Sequence, residues 1–406
     1  MTRLTDNANA TLDLTLSWQS REGMHEERYL LRNANPWRDM YPAGFKEAVE
    51  GLCPGERAEL RYAPGEAIPD WDARLRVVLP RQAFTPPPVL GRKIAPKAGR
   101  FYPQGFFPGL PGVYPQNVRP ARILKENDDA LVIDCNHPLA GRALRLRAAV
   151  VDVRPKPGDT GGGLAHLMER LCDFGPGMQV GRRDGRPTVF ESDGAFSRQD
   201  GTPDGLFYAA PRLISHVDAQ ASAHLGAVYA QRLAPGARVL DLMSSRDSHL
   251  PLDFPAQVVG LGLNGEEMAA NPRLADHVIH DLNAEPTLPF GRQEFDAVLL
   301  SLSIEYLIEP EAVIAACARV LKPGGNLVIG FSDRFFPTKT ISLWAELHEF
   351  ERLGFVSQLM AGTGLFTGLS THSVRNWWRP ADDPHFPKLL ASDPVFVAAG
   401  TRREGL

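Results

Sequence analysis

Residues 295–307 read FDAVLLSLSIEYL, and residues 309–325 read EPEAVIAACARVLKPGG. The first segment contains an apolar run of buried-strand length at residues 297–302. The second places Val313, Ile314, Cys317, Val320 and Leu321 on one face of a helix. Pro310 near its start and Pro323-Gly324-Gly325 at its end set the bounds of that helix. Because residues 327–331 form another apolar run, the segments predict two parallel strands joined by a helical crossover.

The same alternation extends toward the N-terminus. Short apolar runs at residues 238–243, 258–263 and 277–282 match the length of buried strands. Together with the runs above, they predict a parallel sheet of at least five strands. Ligands of such sheets bind beyond the carboxyl ends of the strands, so we expect the functional residues there.

Composition limits the classes of function. The chain has 406 residues, enough for two or three domains, with 43% apolar and 23% charged residues. Lysine and arginine total 44 against 48 aspartate and glutamate, so no basic excess favours a nucleic-acid partner. No apolar run approaches the ~20 residues of a membrane span, and no apolar leader follows Met1. The four cysteines lie far apart and form no C-x-x-C pair: Cys53, Cys135, Cys172 and Cys317. This spacing favours reduced thiols and no metal site, so we expect a cytoplasmic protein.

The chain divides into parts of different character. Residues 10–154 alternate short strand patterns with one short helix pattern at PAGFKEAVEGL, which predicts an α+β domain. Residues 84–120 are rich in proline, glycine and aromatic residues and form an insertion. PKPGDTGGG at residues 155–163 predicts a flexible linker, and residues 155–200 as a whole are interpreted as linker and irregular connector. Residues 201–402 hold the strand–helix alternation.

The strand ends of the C-terminal part carry a family resemblance. ARVLDLMSSRDSHLP (237–251), VVGLGLNGEEM (258–268), VIHDLNAEPTLPF (278–290) and FDAVLLSLSIEYL follow one another in order. In this order and spacing the chain resembles the class I S-adenosylmethionine-dependent methyltransferases, closest to the type 11-like group, over roughly residues 200–402. The resemblance implies a Rossmann-like α/β domain with a mostly parallel sheet, methyltransferase activity and S-adenosyl-L-methionine as cofactor.

The resemblance also implies roles for single residues. Asp241 matches the acid that holds the methionine end of the cofactor, and Asp281 with Leu282 matches the pair that meets adenine. Ser301 and Leu302 open onto the methyl group. The loop of Met243, Ser244 and Ser245 matches the glycine-rich turn under the cofactor, although its glycines are replaced. Gly262 stands where an acid usually binds the ribose, and we expect Asn264, two residues on, to supply part of that contact.

Methyl transfer depends mainly on positioning, with a base where the acceptor starts protonated. The candidates at the expected mouth are His249, Tyr306, Glu305, Asp247, Tyr208 and His216, and His249 and Tyr306 are chosen as catalytic residues. The acceptor stays open between a small molecule and a protein. No Asn/Asp-Pro-Pro-Tyr motif marks amino-group chemistry, because SLSIEYL stands in its place.

A second resemblance covers residues 10–154. ALVIDCNHPLAGRALRLRAAVVDVRP (130–155) is similar to the last strands of FKBP-type prolyl isomerases of the SlyD type, and residues 42–67 to their helix and following strand. The insertion at 84–120 stands where that group carries its flap. By position Phe45 is the floor of the proline pocket with Tyr41 beside it, but Ile68 and Leu146 replace aromatic residues. The pocket acid is either Glu26 or Glu27.

These observations favour a methyltransferase fused to a degenerate FKBP-like module that binds extended peptides. The alternative is a prolyl isomerase or chaperone with a cofactor-poor methyltransferase-like domain; a third hypothesis is an interaction scaffold. The aromatic residues of the insertion either bind apolar peptides or form a small core: Phe101, Tyr102, Phe106, Phe107 and Tyr114.

Overall fold

The protein is described by a computed structural model covering residues 2–156, 158, 163–183 and 186–405. Two compact units are present. Unit 1 comprises residues 2–87, 93–189 and 374–376, and unit 2 comprises residues 88–92, 190–373 and 377–405. Most of the predicted linker, namely residue 157 and residues 159–162, lies outside the described residues. The predicted division into domains at residues 10–154, 155–200 and 201–402 stays a prediction.

Unit 1 contains an antiparallel sheet with the strand order β2-β1-β8-β3. These strands are β1 (Ala8–Gln19), β2 (Gly23–Ala34), β3 (Arg57–Tyr62) and β8 (Leu144–Pro155). In β1, Leu12, Leu14, Leu16 and Trp18 are buried at every second position, as a sheet with one face on a core requires. Residues 11–18 (TLDLTLSW) therefore form one of the strands that the short strand patterns of residues 10–154 predict.

A second sheet of unit 1 has the order β4-β7-β6-β5. Its strands are β4 (Arg76–Pro80), β5 (Phe101–Pro103), β6 (Pro120–Glu126) and β7 (Ala130–Asp134). This sheet extends beyond the predicted insertion at residues 84–120, because β4 and β7 come from its two flanks. In β4 and β7 apolar and polar residues alternate as they do in the first sheet of unit 1. The sequence pattern therefore does not distinguish the two sheets.

Two helices pack in unit 1. Helix α1 (Phe45–Val49) buries Phe45 and Val49, the face that its sequence predicts. Helix α2 (Leu167–Cys172) buries Leu167, Met168, Leu171 and Cys172 in the same hydrophobic core. Residues 167–172 therefore differ from the expected irregular connector on the second half of the chain. A short hairpin follows, formed by β9 (Arg182–Arg183) and β10 (Arg186–Pro187).

Unit 2 contains a mixed sheet with the order β13-β12-β11-β14-β15-β17-β16. Its strands are β11 (Ala237–Leu242), β12 (Ala256–Gly262), β13 (Leu274–Ile279), β14 (Phe295–Ser301), β15 (Leu321–Ser332), β16 (Phe366–Arg375, its last two residues in unit 1) and β17 (Val395–Arg402). The first five are parallel, and β17 pairs antiparallel with β15. The Rossmann-like fold is thus confirmed, and its sheet is mixed: β11 to β15 are parallel, as predicted, whereas β17 runs antiparallel to β15. Strand β13 begins and ends three residues earlier than predicted, because its half-exposed edge position leaves a weak apolar pattern.

The helices of unit 2 follow the expected alternation only in part. They are α3 (Asp204–Phe207), α4 (Ala219–Ala230), α5 (Gly265–Ala269), α6 (Pro310–Val320), α7 (Ser342–Glu346) and α8 (Glu349–Gly362). Helix α5 joins β12 to β13 and α6 joins β14 to β15, but the described residues between β11 and β12 and between β13 and β14 form no α-helix. Helix α6 carries Pro310 at its first turn and buries the predicted face of Val313, Ile314, Cys317 and Val320. Across the described part of the chain, none of the helices combines the length and apolarity that a membrane crossing needs.

The strand order reverses between β11 and β14, which defines the switch point where such sheets bind ligands. Tyr229 of α4 packs against β14 and β15, next to this point. Its hydroxyl is 2.9 Å from Ser301 Oγ at the end of β14. Gly330 of β15 makes room for it, since a Cβ there would overlap the Tyr229 hydroxyl. A glycine in a buried strand is therefore explained by close approach of a tyrosine.

This packing predicts a non-additive pair of substitutions. Gly330→Ala should lower the free energy of unfolding by about 1–3 kcal/mol through overpacking, and Tyr229→Phe by about 1 kcal/mol through loss of one hydrogen bond. The double variant should lose less than the sum, because Phe removes the oxygen that the new methyl group meets. Urea unfolding of the four proteins measures this. Strict additivity would show that the tyrosine hydroxyl is not what excludes a side chain at position 330.

Candidate active site

A cavity of about 440 Å³ lies in unit 2. The ends of β11, β12 and β14, the turn after β13, the loop after β15 and the segment before α4 all contribute walls. All eleven residues selected from the sequence line it: Asp241, Met243, Ser244, Ser245, His249, Asn264, Asp281, Leu282, Ser301, Leu302 and Tyr306. The structure therefore brings these residues together, while their individual roles remain predictions.

Asp241, at the carboxyl end of β11, is only 1% exposed. Its Oδ2 accepts hydrogen bonds from Ser244 Oγ at 2.5 Å and from Ser248 Oγ at 2.6 Å. Burial raises the pKa of this carboxyl group to about 6, and the two hydroxyl donors oppose that rise. The result is a buried acid whose negative charge is met by neutral donors, an environment in which a ligand cation would be stabilised.

A second set of bonds connects this acid to the next crossover. Asn271 Nδ2 donates to Ser248 Oγ and to the Ser245 carbonyl oxygen, both at 2.9 Å. Asn271 is buried and follows helix α5. The serine-rich loop after β11 is thus held from two sides. Hydroxyl and amide bonds fix the loop where other proteins of this fold use glycine.

The backbone of the cavity is unusual at three positions. Met243, His249 and Leu302 have φ values of 54°, 55° and 51°, in the left-handed region that glycine favours. Such residues cost about 1–3 kcal/mol each and cluster at functional sites. Met243 replaces the first glycine of the family loop, so the loop keeps the glycine-like turn despite losing the glycine. Three of the seven non-glycine residues with positive φ in the described part of the chain therefore line this cavity.

Gly262, where the family carries an acid, has no room for any side chain. A Cβ at this position would overlap the Ser244 carbonyl oxygen, and Ser244 N donates to the Leu261 carbonyl oxygen at 2.7 Å. The loop after β11 therefore crosses the end of β12. The serine loop and the missing acid are consequences of one packing arrangement.

Asn264 lines the cavity and also caps helix α5. Its Oδ1 accepts from the backbone N–H groups of Glu266 and Glu267 and caps α5, while its Nδ2 donates to the Tyr208 carbonyl oxygen at 3.0 Å. Ribose binding by Asn264 stays a prediction, and its side chain is already fully engaged.

Glu267 is the carboxylate that sequence reasoning missed. It is 6% exposed, lines the cavity, and accepts from Ser245 Oγ at 2.5 Å and Arg212 N at 2.6 Å. The signal was present, since Asn264-x-x-Glu267 has the spacing of a helix capping box. The structure turns this glutamate toward the serine loop instead of back to its own helix terminus.

The turn after β13 is fixed by its own side chains. Asp281 Oδ1 accepts from Asn283 N at 2.9 Å and from Ala284 N at 3.3 Å, and Leu282 is buried beside it. Asn283 Nδ2 donates to Asp204 Oδ2 at 2.7 Å and to the Tyr306 carbonyl oxygen at 2.9 Å. Asn283 therefore joins the turn, α3 and the segment after β14.

The two predicted catalytic residues are buried in the wall of the cavity. Tyr306 is 6% exposed, its hydroxyl oxygen accepts from Phe336 N at 2.9 Å, and burial raises its pKa well above the usual value. His249 is 7% exposed, and its Nδ1 lies 2.9 Å from Ser222 Oγ. Burial lowers the pKa of His249, so the ring is neutral at pH 7. Both line the cavity, and their catalytic roles stay predictions.

Glu305, another candidate from the sequence, is not among the cavity walls. It is fully buried, and neither carboxylate oxygen has a hydrogen-bond partner among the described residues. Burial raises its pKa to about 7. It lies behind the cavity wall formed by its neighbour Tyr306.

The predicted proline pocket of unit 1 is filled. Phe45 and Leu146 are 0% exposed, Ile68 is 6% exposed, and Tyr41 stacks on Phe45 at 5.3 Å between ring centroids. Of the two candidate acids, Glu27 is fully buried and pairs with Arg375 of the same unit at 2.7 Å. The residues that would contact a proline are thus part of the hydrophobic core.

The aromatic residues of the insertion mostly form a small core. Phe84 contacts the rings of Tyr102, Phe107 and Phe106 at centroid distances of 4.9, 5.3 and 6.4 Å. Tyr114, in contrast, is 62% exposed. Burial therefore favours the core interpretation for most of this group.

The N-terminal region of the chain is similar to known prolyl isomerases. The chain is 33% identical over 120 residues to a probable FKBP-type 16 kDa peptidyl-prolyl cis-trans isomerase of Pseudomonas fluorescens, covering 29% of this chain and 75% of that protein. It is 32% identical over 113 residues to a short-type peptidyl-prolyl cis-trans isomerase of Methanocaldococcus jannaschii, covering 28% and 60%. The chain belongs to the FKBP-type isomerase family. These similarities lie in its N-terminal region.

The same chain carries a methyltransferase domain. The family model described as a methyltransferase domain matches residues 245–329. A demethylmenaquinone methyltransferase of Renibacterium salmoninarum is 32% identical over 111 residues, covering 26% of this chain and 47% of that protein. The predicted fusion, its methyltransferase class and S-adenosylmethionine as the cofactor of that class are confirmed. The chain spans about half the length of the methyltransferase relatives that it matches.

The overlap at Gly262 makes a direct prediction. Gly262→Ala should weaken binding of S-adenosylhomocysteine at least tenfold, because the added methyl group displaces the Ser244 backbone. Gly262→Asp, which restores the family acid, should weaken binding as well. Gly362→Ala, at the end of α8 where a Cβ meets no atom within 4 Å, is the control and should leave the affinity unchanged. Calorimetry measures the affinities, and tighter binding by Gly262→Asp would contradict the packing argument.

Proposed function

We propose that the chain transfers a methyl group from S-adenosylmethionine, bound in the cavity of unit 2, to an acceptor bound in the same cavity. The observation that carries this proposal is the buried Asp241 at the switch point of the sheet, whose negative charge is met by hydroxyl donors alone. An α-ammonium group would compensate this charge. The family resemblance assigns that contact to the same residue.

The residues present fit this cofactor. Asp241 would hold its ammonium group, while Asp281 and Leu282 would hold adenine. Asp281 Oδ2 has no hydrogen-bond partner among the described residues, and it is free to accept from an exocyclic amino group. Glu267 supports the Ser245 side chain next to the missing acid at position 262, and we assign part of the ribose contact to it. When bound, the cofactor supplies an electrophilic methyl group on sulfonium sulfur.

The chain itself contributes positioning and exclusion of water. The Tyr306 hydroxyl fixes the backbone of Phe336, so the end of β14 and the loop after β15 are held together. Placing an acceptor in line with the methyl group supplies most of the acceleration that such a reaction needs. The strained backbone at Leu302 holds the end of β14 open toward that point.

We assign unit 1 to binding extended peptides without catalysis. Its core residues Phe45, Ile68 and Leu146 are buried, which leaves no place for a proline ring. Strand β4, at the edge of the second sheet, instead exposes Val78 by 67%. A peptide could pair with such an edge through its backbone. Among the described residues the cysteines are free, which agrees with the proposed cytoplasmic location.

Cofactor binding should depend on the ionisation of Asp241. Because burial raises its pKa to about 6, the carboxylate takes up a proton as the pH falls below 6 and no longer attracts an ammonium group. The affinity for S-adenosylhomocysteine should therefore be level at pH 7–8 and fall about tenfold per pH unit below 6. Calorimetry across this range measures it.

Asp241→Asn is the matched control, since it keeps the shape and removes the charge. It should bind about 10–100-fold more weakly at pH 7.5, as expected for a lost charged partner, and show no dependence on pH near 6. Asp281→Asn should weaken binding without changing the pH profile. A wild-type protein that gives no heat with millimolar S-adenosylhomocysteine would overturn the proposed function.

Prolyl isomerisation should be close to the uncatalysed rate. A proline-containing peptide, followed by exchange NMR, should isomerise equally fast with the wild-type protein and with Phe45→Leu, because Phe45 is not accessible. Rate enhancement that is lost in Phe45→Leu would show that the pocket opens and acts as in active isomerases.

A further inference from the structure

His216 differs from the other histidines of the cavity. It precedes α4, is half-buried, and lines the cavity wall. His249 is bonded through Nδ1 to Ser222, and His280 Nε2 lies 2.9 Å from the Glu285 carbonyl oxygen. Within the described residues, neither ring nitrogen of His216 has a hydrogen-bond partner. An accessible imidazole without partners is available to a ligand in the cavity.

The electrostatic surroundings keep this ring neutral at pH 7. Burial lowers the pKa of His216 and Arg212 acts in the same direction, while Glu267 and Asp247 oppose it. A neutral imidazole can accept a proton. The hydroxyl groups of Tyr208 and Tyr306 cannot do so, because burial raises the pKa of each.

The wall around His216 is aromatic. Its ring stands edge-on to Phe336, with 5.7 Å between centroids, and Phe336 lies 6.1 Å from Tyr306 and 5.9 Å from Phe207. Phe335 also lines the cavity. Tyr306 follows β14, Phe335 and Phe336 follow β15, and Phe207 ends α3. A planar aromatic ligand gains stacking and edge contacts in such a place.

We infer that His216 is the general base of the transfer and that the acceptor is a hydroxylated aromatic ring. This inference rests on the proposed methyltransferase function. The acceptor hydroxyl gives its proton to a ring nitrogen of His216 as the oxygen forms a bond to the methyl carbon. The methyl–sulfur bond breaks with its electron pair remaining on sulfur, which becomes a neutral thioether. The proton then leaves the imidazolium ring for solvent.

The acceptor class also follows from the need for a base. The Arg212 guanidinium group lies over the Phe336 ring, 5.4 Å from its centroid, and both Arg212 and Arg334 line the cavity. A phenol starts protonated at neutral pH, with a pKa near 10, so it gains from a base. The aromatic wall and the unpartnered imidazole therefore agree on one class of substrate.

The first test measures binding, independently of turnover. With saturating S-adenosylhomocysteine, p-cresol and its methyl ether are titrated by NMR into wild type, His216→Phe and His277→Gln. Wild type should bind p-cresol about 3–10-fold more tightly than the ether, since one hydrogen bond to His216 distinguishes them. His216→Phe should bind the two alike. His277→Gln, a half-buried histidine outside the cavity, should retain the preference. Equal binding of both ligands by wild type, or an unchanged preference in His216→Phe, would overturn the inference.

The second test measures transfer of labelled methyl groups to p-cresol, catechol, aniline and thiophenol. Wild type should methylate the hydroxyl compounds, and His216→Phe should reduce kcat about 10²–10⁴-fold while leaving S-adenosylhomocysteine affinity within twofold. The residual rate of the variant should rise with pH as the phenol ionises by itself. Transfer only to aniline or thiophenol, or to none of the four, would overturn the inference. Failure of wild type to bind S-adenosylhomocysteine would instead mark failure of the proposed function.

Discussion

One carboxylate oxygen organises the candidate site. Asp241 Oδ2 is shared by Ser244 and Ser248, and Asn271 holds Ser248 and the Ser245 backbone from the other side. This network fixes a loop that has no glycine at the positions where the family uses it. The loop in turn crosses the end of β12 and excludes a side chain at Gly262. The loop without glycines and the missing acid at position 262 are therefore linked. Hydrogen bonds from hydroxyl and amide groups fix the loop where the family uses a glycine-rich turn.

Most of the fold of unit 2 could be predicted because its strands are buried on both faces. An apolar run such as residues 297–302 predicts a buried strand, because a helix with a proline in its first turn follows it. The error at β13 has the opposite cause, since an edge strand with half-exposed residues carries little apolar signal. In unit 1 short strand patterns were predicted across residues 10–154, but the separate sheet that contains β4 and β7 was not. Pairing between strands is a long-range property that alternation along one strand does not contain.

The site could be predicted as a set of positions more readily than as a set of roles. Strand ends locate residues such as Asp241 and Asp281 from topology alone. Roles depend on partners that are distant in sequence. Ser222 Oγ is hydrogen-bonded to His249 Nδ1, and the Phe336 N–H donates to the Tyr306 hydroxyl oxygen. Asn264 Oδ1 accepts from the Glu267 N–H at the start of α5. Glu267 and His216 acquire their importance in the same way, because the segment before α4 reaches the cavity only after folding.

The central claim is that this cavity holds S-adenosylmethionine with its ammonium group at Asp241 and its sulfur toward the aromatic wall. A crystal structure of the protein with S-adenosylhomocysteine tests it most directly. The account predicts density in the cavity, with the amino nitrogen within hydrogen-bond distance of Asp241, adenine against Leu282 and Asp281, and sulfur facing Phe336. A ligand bound elsewhere, or an empty cavity at millimolar ligand, would contradict it.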